Sequence, residues 1–341
     1  MKDKLVSIII PAYNSGKYMN KMLDSIYASK HSNIELIIAY DNRSTDNTLE
    51  ILCTYSNTYN NIIIAEGIDN GPGQARNRVL PLAKGNYVIF LDADDIITPS
   101  HISGLLEVFD KYPELNVVCG SHIRAEESEI NNKYSRAIKS KKCIKIYSKE
   151  EVLQRLMVRS KFVGGPWVWM VKRAYIADNN IAFPNYSYGE DNVYTYQLVL
   201  NADKIGHTTN IGYIYIQHTS SLANSIKSPE GYWDAFEKCR NDTKNLLQKN
   251  YIHLIPYYQS VSNMYMSFIS TIYRYDEFSD LLNKCGITKL LIPRYSGIYV
   301  KCGILCFNIS RYLFWKILQI KSLKKIVYNM GFGVSNEQRS K

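Results

Sequence analysis

The sequence predicts an α/β protein with a doubly wound, mostly parallel sheet and a C-terminal helical extension. Three observations predict it. Short continuous apolar runs rich in β-branched residues alternate with helically spaced segments through the first hundred residues, the pattern of parallel strands buried on both faces. The polar clusters PAYN, DNRSTD and DADD each follow an apolar run, at the strand ends where such sheets bind ligands. Beyond residue 229 the pattern is helical.

The elements follow in order. LVSIII (5–10) is the first strand, and Tyr18, Met22, Ile26 and Tyr27 then recur at helical spacing. IELIIAY (34–40) is the second strand, followed by a helix over about 47–58. NIIIAE (61–66) is the third, and ARNRVLPLA reads as helical across Pro81. YVIFLDADD (87–95) is a fourth strand that runs into three acids, with a helix over 101–118 beyond it. The polar, basic stretch 126–150 predicts an exposed hairpin or insertion, a helix opens near 190, and 207–218 reads as an edge strand. The chain divides into a sheet domain (1–225), a helical extension (226–285) and a basic amphipathic tail (286–341).

Composition sets limits on function. The chain has 341 residues, 46% hydrophobic and 21% charged, which excludes wholesale disorder. Neither of the longest uncharged apolar runs, VSIIIPAYNSG and CGILCFNIS, reaches the roughly 20 residues of a membrane span. The apolar start breaks at Pro11 without a small-residue cleavage site, which predicts no secretory signal. Seven cysteines without a CxxC pair predict reduced thiols in the cytoplasm. The net charge of +10 is uneven: residues 1–100 hold 9 Lys/Arg and 11 Asp/Glu (−2), whereas 286–341 hold 10 Lys/Arg and one acid, Glu337 (+9). That tail interleaves its charges with Ile304, Leu305, Phe307, Tyr312, Leu313, Phe314 and Trp315. The mixture suits contact with an anionic membrane surface, which places the protein on the inner face of the cell membrane. No nucleic-acid module is visible, so no nucleic-acid partner is expected.

The chemistry-bearing residues cluster. Asp92 and Asp94 project to the same side of an extended chain. Paired carboxylates after a buried strand repel one another unless a cation sits beside them, and Mn²⁺ or Mg²⁺ suits such a pair, completing its shell with water and diphosphate oxygens. Asp41 ends the second strand, where its carboxylate can accept from a nucleobase N–H such as the N3–H of uracil, or form a turn or helix cap. Gly71 and Gly73 permit close backbone approach ahead of Arg76, which can pair with a phosphate or lie on the surface. Glu190 and Asp191 suit the first turn of a helix.

Together VSIIIPAYN (6–14), DNRSTDNT (41–48), GPGQARN (71–77), YVIFLDADD (87–95) and GED (189–191) resemble the family 2 glycosyltransferases of the GT-A fold, over roughly residues 4–220. The resemblance implies transfer of a hexose or N-acetylhexosamine from a UDP-sugar, with inversion, to a growing, lipid-linked bacterial surface glycan. It assigns nucleotide-sugar binding to Pro11, Ala12, Tyr13, Asn14, Asp41, Arg76, Asp92, Asp94 and Glu190, metal binding to Asp92, Asp94 and His218, and the general base to Asp191. Trp167 matches a family Trp near the acceptor, or is a core aromatic. The second motif departs from the common DDGSTD: Asn42 and Arg43 replace the second acid and the Gly. Trp169 stands where relatives often carry Lys. Two other readings compete. A metal-dependent nucleotidyltransferase also uses paired acids, but PAYNSGKY lacks its Gly-rich loop. A non-catalytic sugar-nucleotide-binding subunit would not need Asp94 and Asp191.

Overall fold

The computed structural model describes residues 4–157, 164–186, 189–218, 229–248 and 251, with positions 276, 279, 305, 308–313 and 316. The chain forms two compact units, one of residues 1–149 and 164–227, the other of 150–163 and 228–341. Most of the expected tail, 286–341, lies outside the described residues.

The first unit holds the sheet. Its strands are β1 (Val6–Ala12), β2 (Ile34–Asp41), β3 (Ile62–Gly67), β4 (Tyr87–Phe90), β5 (Ile96–Ile97), β6 (Val117–Glu126), β7 (Ile144–Ser148), β8 (Trp169–Lys172) and β9 (Lys204–Gln217). They run in the order β3-β2-β1-β4-β8-β6-β9-β5, with β7 also paired to β9. The first four are parallel. β8 is antiparallel to both β4 and β6, so the sheet changes direction beside the end of β4. Helices α1 (Gly16–Tyr27), α2 (Thr48–Thr58) and α3 (Pro72–Val79) connect the parallel strands, and α4 (His101–Lys111) precedes β6. β1 and β2 are almost wholly buried, which is why their sequences are unbroken apolar runs rather than alternating ones.

The expected α/β architecture is present, with five local differences. β4 ends at Phe90, so the acids sit on a loop beyond it. α3 stops at Val79 and a separate 3₁₀ turn, Leu80–Leu82, follows; Pro81 lacks the N–H that would continue the helix. The helix expected over 101–118 ends at Lys111, and Val117 opens β6, the ten-residue neighbour of β8. Of the two readings of residues 126–150, hairpin or insertion, the hairpin does not hold: the stretch contains α5 (Ile130–Ile138) and β7. Nor is β9 an edge. It pairs with β6 on one side and with β5 and β7 on the other, because its fourteen residues outrun any one short partner. β3, half-buried, takes an edge instead.

In the second unit, α6 (Lys149–Met157) begins at the boundary, and a further helix spans Pro229–Gln248. The Tyr251 hydroxyl donates to the Glu150 carboxylate at 3.2 Å. Among the described residues no helix is long and apolar enough to cross a membrane.

Candidate active site

The loops after β1 and β2 are stitched together. Asn14, in the left-handed region at φ 46, accepts through Oδ1 from the Thr45 N–H at 2.8 Å. Ser15 N–H donates to Thr48 Oγ1 and Gly16 N–H to Asp46 Oδ2, both at 2.8 Å. These bonds hold the two strand ends as one rim. Asn14, expected to touch the nucleotide, spends its side-chain oxygen on this joint. Pro11 and Ala12 complete β1 opposite Ala39 and Tyr40, and Tyr13 projects from the rim with 54% of its surface exposed.

Asp41 lies buried beside it. Arg43 folds back onto this carboxylate: Nε meets Oδ1 at 2.9 Å and Nη2 meets Oδ2 at 2.6 Å. The Arg43 backbone N–H also donates to Oδ1 at 2.9 Å. This guanidinium pushes the Asp41 carboxyl down to about 2, so it stays ionised throughout the physiological range. Asp69 closes the cluster. Its carbonyl accepts from Arg43 Nη2 at 2.5 Å, and its carboxylate is held by Arg78 through Nε at 3.0 Å and Nη2 at 2.8 Å.

The centre of the site is Arg76. Its side chain is only 3% exposed. One nitrogen, Nη2, pairs with Asp92 Oδ1 at 2.5 Å, and Nη1 lies 3.9 Å from Glu190 Oε1. The guanidinium therefore ties the loop after β4 to the start of α8 (Glu190–Asn201), the helix that follows α7 (Arg173–Asp178). Gly73 makes this approach possible: a Cβ there would meet Glu190 Cγ at 2.8 Å and Phe183 Cβ at 3.1 Å. Gly189, at φ 79, turns the chain into α8, a conformation that costs glycine little. Of the two expectations for Arg76, a phosphate partner or a surface position, the surface one does not hold: the side chain is buried, with its Nη groups beside two carboxylates.

Glu190 and Asp191 divide at this helix start. Glu190 is buried against Arg76, and burial, with the neighbouring Asp191 charge, raises its carboxyl above the ordinary glutamate range. Asp191 is half-buried. Its Oδ1 accepts from the Asn192 backbone N–H at 2.8 Å and from the Asn192 amide at 3.1 Å. A helix N-terminus favours the ionised form of such a carboxylate.

Asp92, Asp94 and Asp95 have three different fates. Asp94, with its side chain 41% exposed, is pushed up to about 6 by burial and by the neighbouring Asp92 charge. A divalent cation beside it would reverse that repulsion. The donor set fits a hard ion bound through one or two carboxylates, its shell completed by water and diphosphate oxygens. Asp95 is fully buried. It accepts from the Tyr213 hydroxyl at 2.5 Å and from the Ile216 N–H at 2.6 Å, while the Asp92 N–H donates to the same Tyr213 hydroxyl at 3.4 Å. Burial raises the Asp95 carboxyl well above the usual range. Asp95 thus moors the acidic loop to β9. A third acid following a buried strand was legible in the sequence, but its partner, 118 residues away, was not.

His218, expected as a metal ligand, points its Nε2 at the Asp94 carbonyl (3.1 Å) and its Nδ1 at Glu127 (3.2 Å). Glu127 also receives Lys17 Nζ at 2.9 Å, and that ammonium group lowers its carboxyl below the usual value. The Tyr18 ring packs on the imidazole with centroids 4.1 Å apart. Among the described residues, no three His, Cys, Asp or Glu side chains form a ready metal cage. Trp167 is buried and stacks on Tyr213 at 4.4 Å and 12°, which matches the core-aromatic alternative. Trp169 is likewise fully buried, in β8.

Comparison with known proteins bears on this arrangement. The glycosyl transferase family 2 pattern matches residues 7–179. The chain is 30% identical over 240 residues to a poly(ribitol-phosphate) beta-glucosyltransferase of Bacillus spizizenii, a match that covers 68% of this chain and 36% of that protein. The chain thus spans about a third of that relative's length. Staphylococcus aureus TarS 1-349 in complex with UDP-GlcNAc superposes with a TM-score of 0.61 at 20% identity, covering 95% of this chain and 86% of that one. A mannosyltransferase of Pyrobaculum calidifontis, PcManGT, in complex with GDP-Man and Mn²⁺ superposes with a TM-score of 0.50 at 15% identity, covering 93% and 87%. These structural likenesses bear out the GT-A architecture. With more than half its length matched to the family pattern, the chain belongs to glycosyl transferase family 2.

Proposed function

We propose that this protein is an inverting glycosyltransferase that moves a hexose or N-acetylhexosamine from a UDP-sugar to a hydroxyl of a growing, lipid-linked surface glycan. One observation carries the reading: buried Arg76 reaches both Asp92 and Glu190, which brings the strand-end acids and the start of α8 into one site. The relative's printed name, a poly(ribitol-phosphate) glucosyltransferase, supports a polymeric cell-surface acceptor.

The residues divide the work. Tyr13 receives the nucleobase over the rim that Asp41 anchors, with Pro11 and Ala12 forming its floor. Asp92 and Asp94 would hold Mn²⁺ or Mg²⁺, which when bound offsets the diphosphate charge. Arg76 keeps Asp92 in position. Glu190, buried and with a raised carboxyl, supports the site rather than meeting the acceptor. Asp191, half-buried at the start of α8, takes the proton from the attacking hydroxyl, whose own pKa lies far above neutrality. Attack comes from the face opposite the leaving diphosphate, which inverts the anomeric centre.

UDP release from a panel of UDP-sugars, followed with Mn²⁺ and with a chelator, tests this reading. Turnover of at least one UDP-sugar that stops with chelator and returns with metal is expected. No turnover of any UDP-sugar in the presence of an acceptor glycan would refute it.

The basic stretch 286–341 is proposed to hold the enzyme against the inner face of the cell membrane, near that acceptor. Leu305, Ile309, Tyr312 and Leu313 follow helical spacing and are all exposed. The full chain is expected to co-sediment with vesicles rich in phosphatidylglycerol and not with neutral phosphatidylcholine ones. Equal partitioning after deletion of 300–341 would refute the anchor.

A further inference from the structure

Arg43 occupies a place in the second motif where a glycine is common, and the reading above leaves it without a task. Its geometry gives it one. The side chain is fixed at three points: both Asp41 oxygens and the Asp69 carbonyl. Asp69 is in turn held by Arg78. Half of the Arg43 side chain remains exposed, and its guanidinium carbon lies 5.9 Å from the Tyr13 ring centroid. This is a supported, outward-facing cation at the mouth of the rim.

The hydrogen bonds around Asp41 decide what this surface can read. Asp41 Oδ1 accepts from the Arg43 N–H and Nε, and Oδ2 from Arg43 Nη2, with the Asp69 N–H at 3.5 Å. The carboxylate is thus close to saturated by donors of this chain. Arg43 Nε and Nη2 are spent on Asp41 and Asp69, whereas Nη1 carries two further donors. The pair consequently presents N–H groups beside an acceptor that is already engaged. A base edge rich in carbonyl oxygens suits that surface, and uracil offers two carbonyls around a single N–H. Guanine presents two neighbouring N–H donors beside one carbonyl, and these would need the carboxylate oxygens that Arg43 fills.

We propose that Arg43 is a specificity-determining residue that reads a carbonyl oxygen of the nucleobase and selects uridine over guanosine diphosphate donors. This rests on the sugar-nucleotide reading above. A plug that must swing aside is the competing role for such a residue. It would have to break the two-pronged ion pair and the bond to the Asp69 carbonyl, whereas a reader acts from where it stands. Charge-assisted bonds of this kind are the strong ones.

The experiment measures Kd for UDP and for GDP, each with Mn²⁺, on the full chain and on Arg43→Ala and Arg43→Lys, with thermal melts confirming that each variant folds. In the wild type UDP is expected to bind more tightly than GDP. Arg43→Ala should lower that preference by about tenfold or more, the size of one hydrogen bond to a charged group. Arg43→Lys, which keeps the charge and loses the fork, should restore only part of it. An unchanged preference in folded Arg43→Ala overturns the proposal, and so does tighter UDP binding, which would make Arg43 a plug. Wild-type protein that binds neither nucleotide overturns the donor reading itself, and this proposal with it.

Discussion

Asp191→Asn is expected to lower kcat by about 10²–10⁴-fold, the usual contribution of a positioned general base, and to leave the Kd for the UDP-sugar within about twofold. The substitution preserves the shape of the side chain. It removes the charge that would take the acceptor proton, and it leaves the Arg76 contacts to Asp92 and Glu190 untouched. Single-turnover rates with donor and acceptor, set beside donor titrations, separate the two effects. Turnover unchanged in Asp191→Asn would remove this carboxylate from the chemistry. A matching loss of donor affinity would move it from base to binding group. Glu190→Gln sharpens the contrast, because a supporting residue should affect stability as well as rate.

Arg76→Ala is expected to be the most destabilising single change in the site. It strands Asp92 and buried Glu190 without their cation, and removing one partner of a buried ion pair costs about 3–5 kcal/mol. The loss should appear as a lower urea midpoint for the unit that holds the sheet, together with loss of turnover. Arg76→Lys, which reaches with one point charge rather than a fork, should recover only part of the stability. An unaltered unfolding midpoint in Arg76→Ala would mean that the two carboxylates find other partners.

These two residues also show how far the sequence reached. The strands β1, β2 and β4 were legible because parallel strands buried on both faces leave unbroken apolar runs, and the acids at their ends marked the site rim. Asp41, Asp92 and Asp191 drew attention by their place after a strand or before a helix. Arg76 was singled out too, but its setting was not legible, since nothing local to GPGQARN says that Glu190 lies against it. Asp95 was seen as one acid of three; its burial depends on Tyr213 and Ile216, at a separation no periodicity spans. His218 was expected to offer nitrogen to a metal; its nitrogens face the Asp94 carbonyl, inside a motif, and Glu127, in a segment that the motif pattern did not cover. The hairpin alternative for residues 126–150 failed for a related reason. Polarity there reports a solvated surface, and a surface helix and a hairpin share it.

Gly73 has a consequence for how such a protein can change over generations. At that point α3 and the first turn of α8 meet with no room for even a methyl group, so any replacement must displace Glu190 and, through it, Arg76. A mutation on either helix that shifts the seam is felt on the other. The two helices therefore vary together or not at all, and change elsewhere has to enter through walls that do not share that seam.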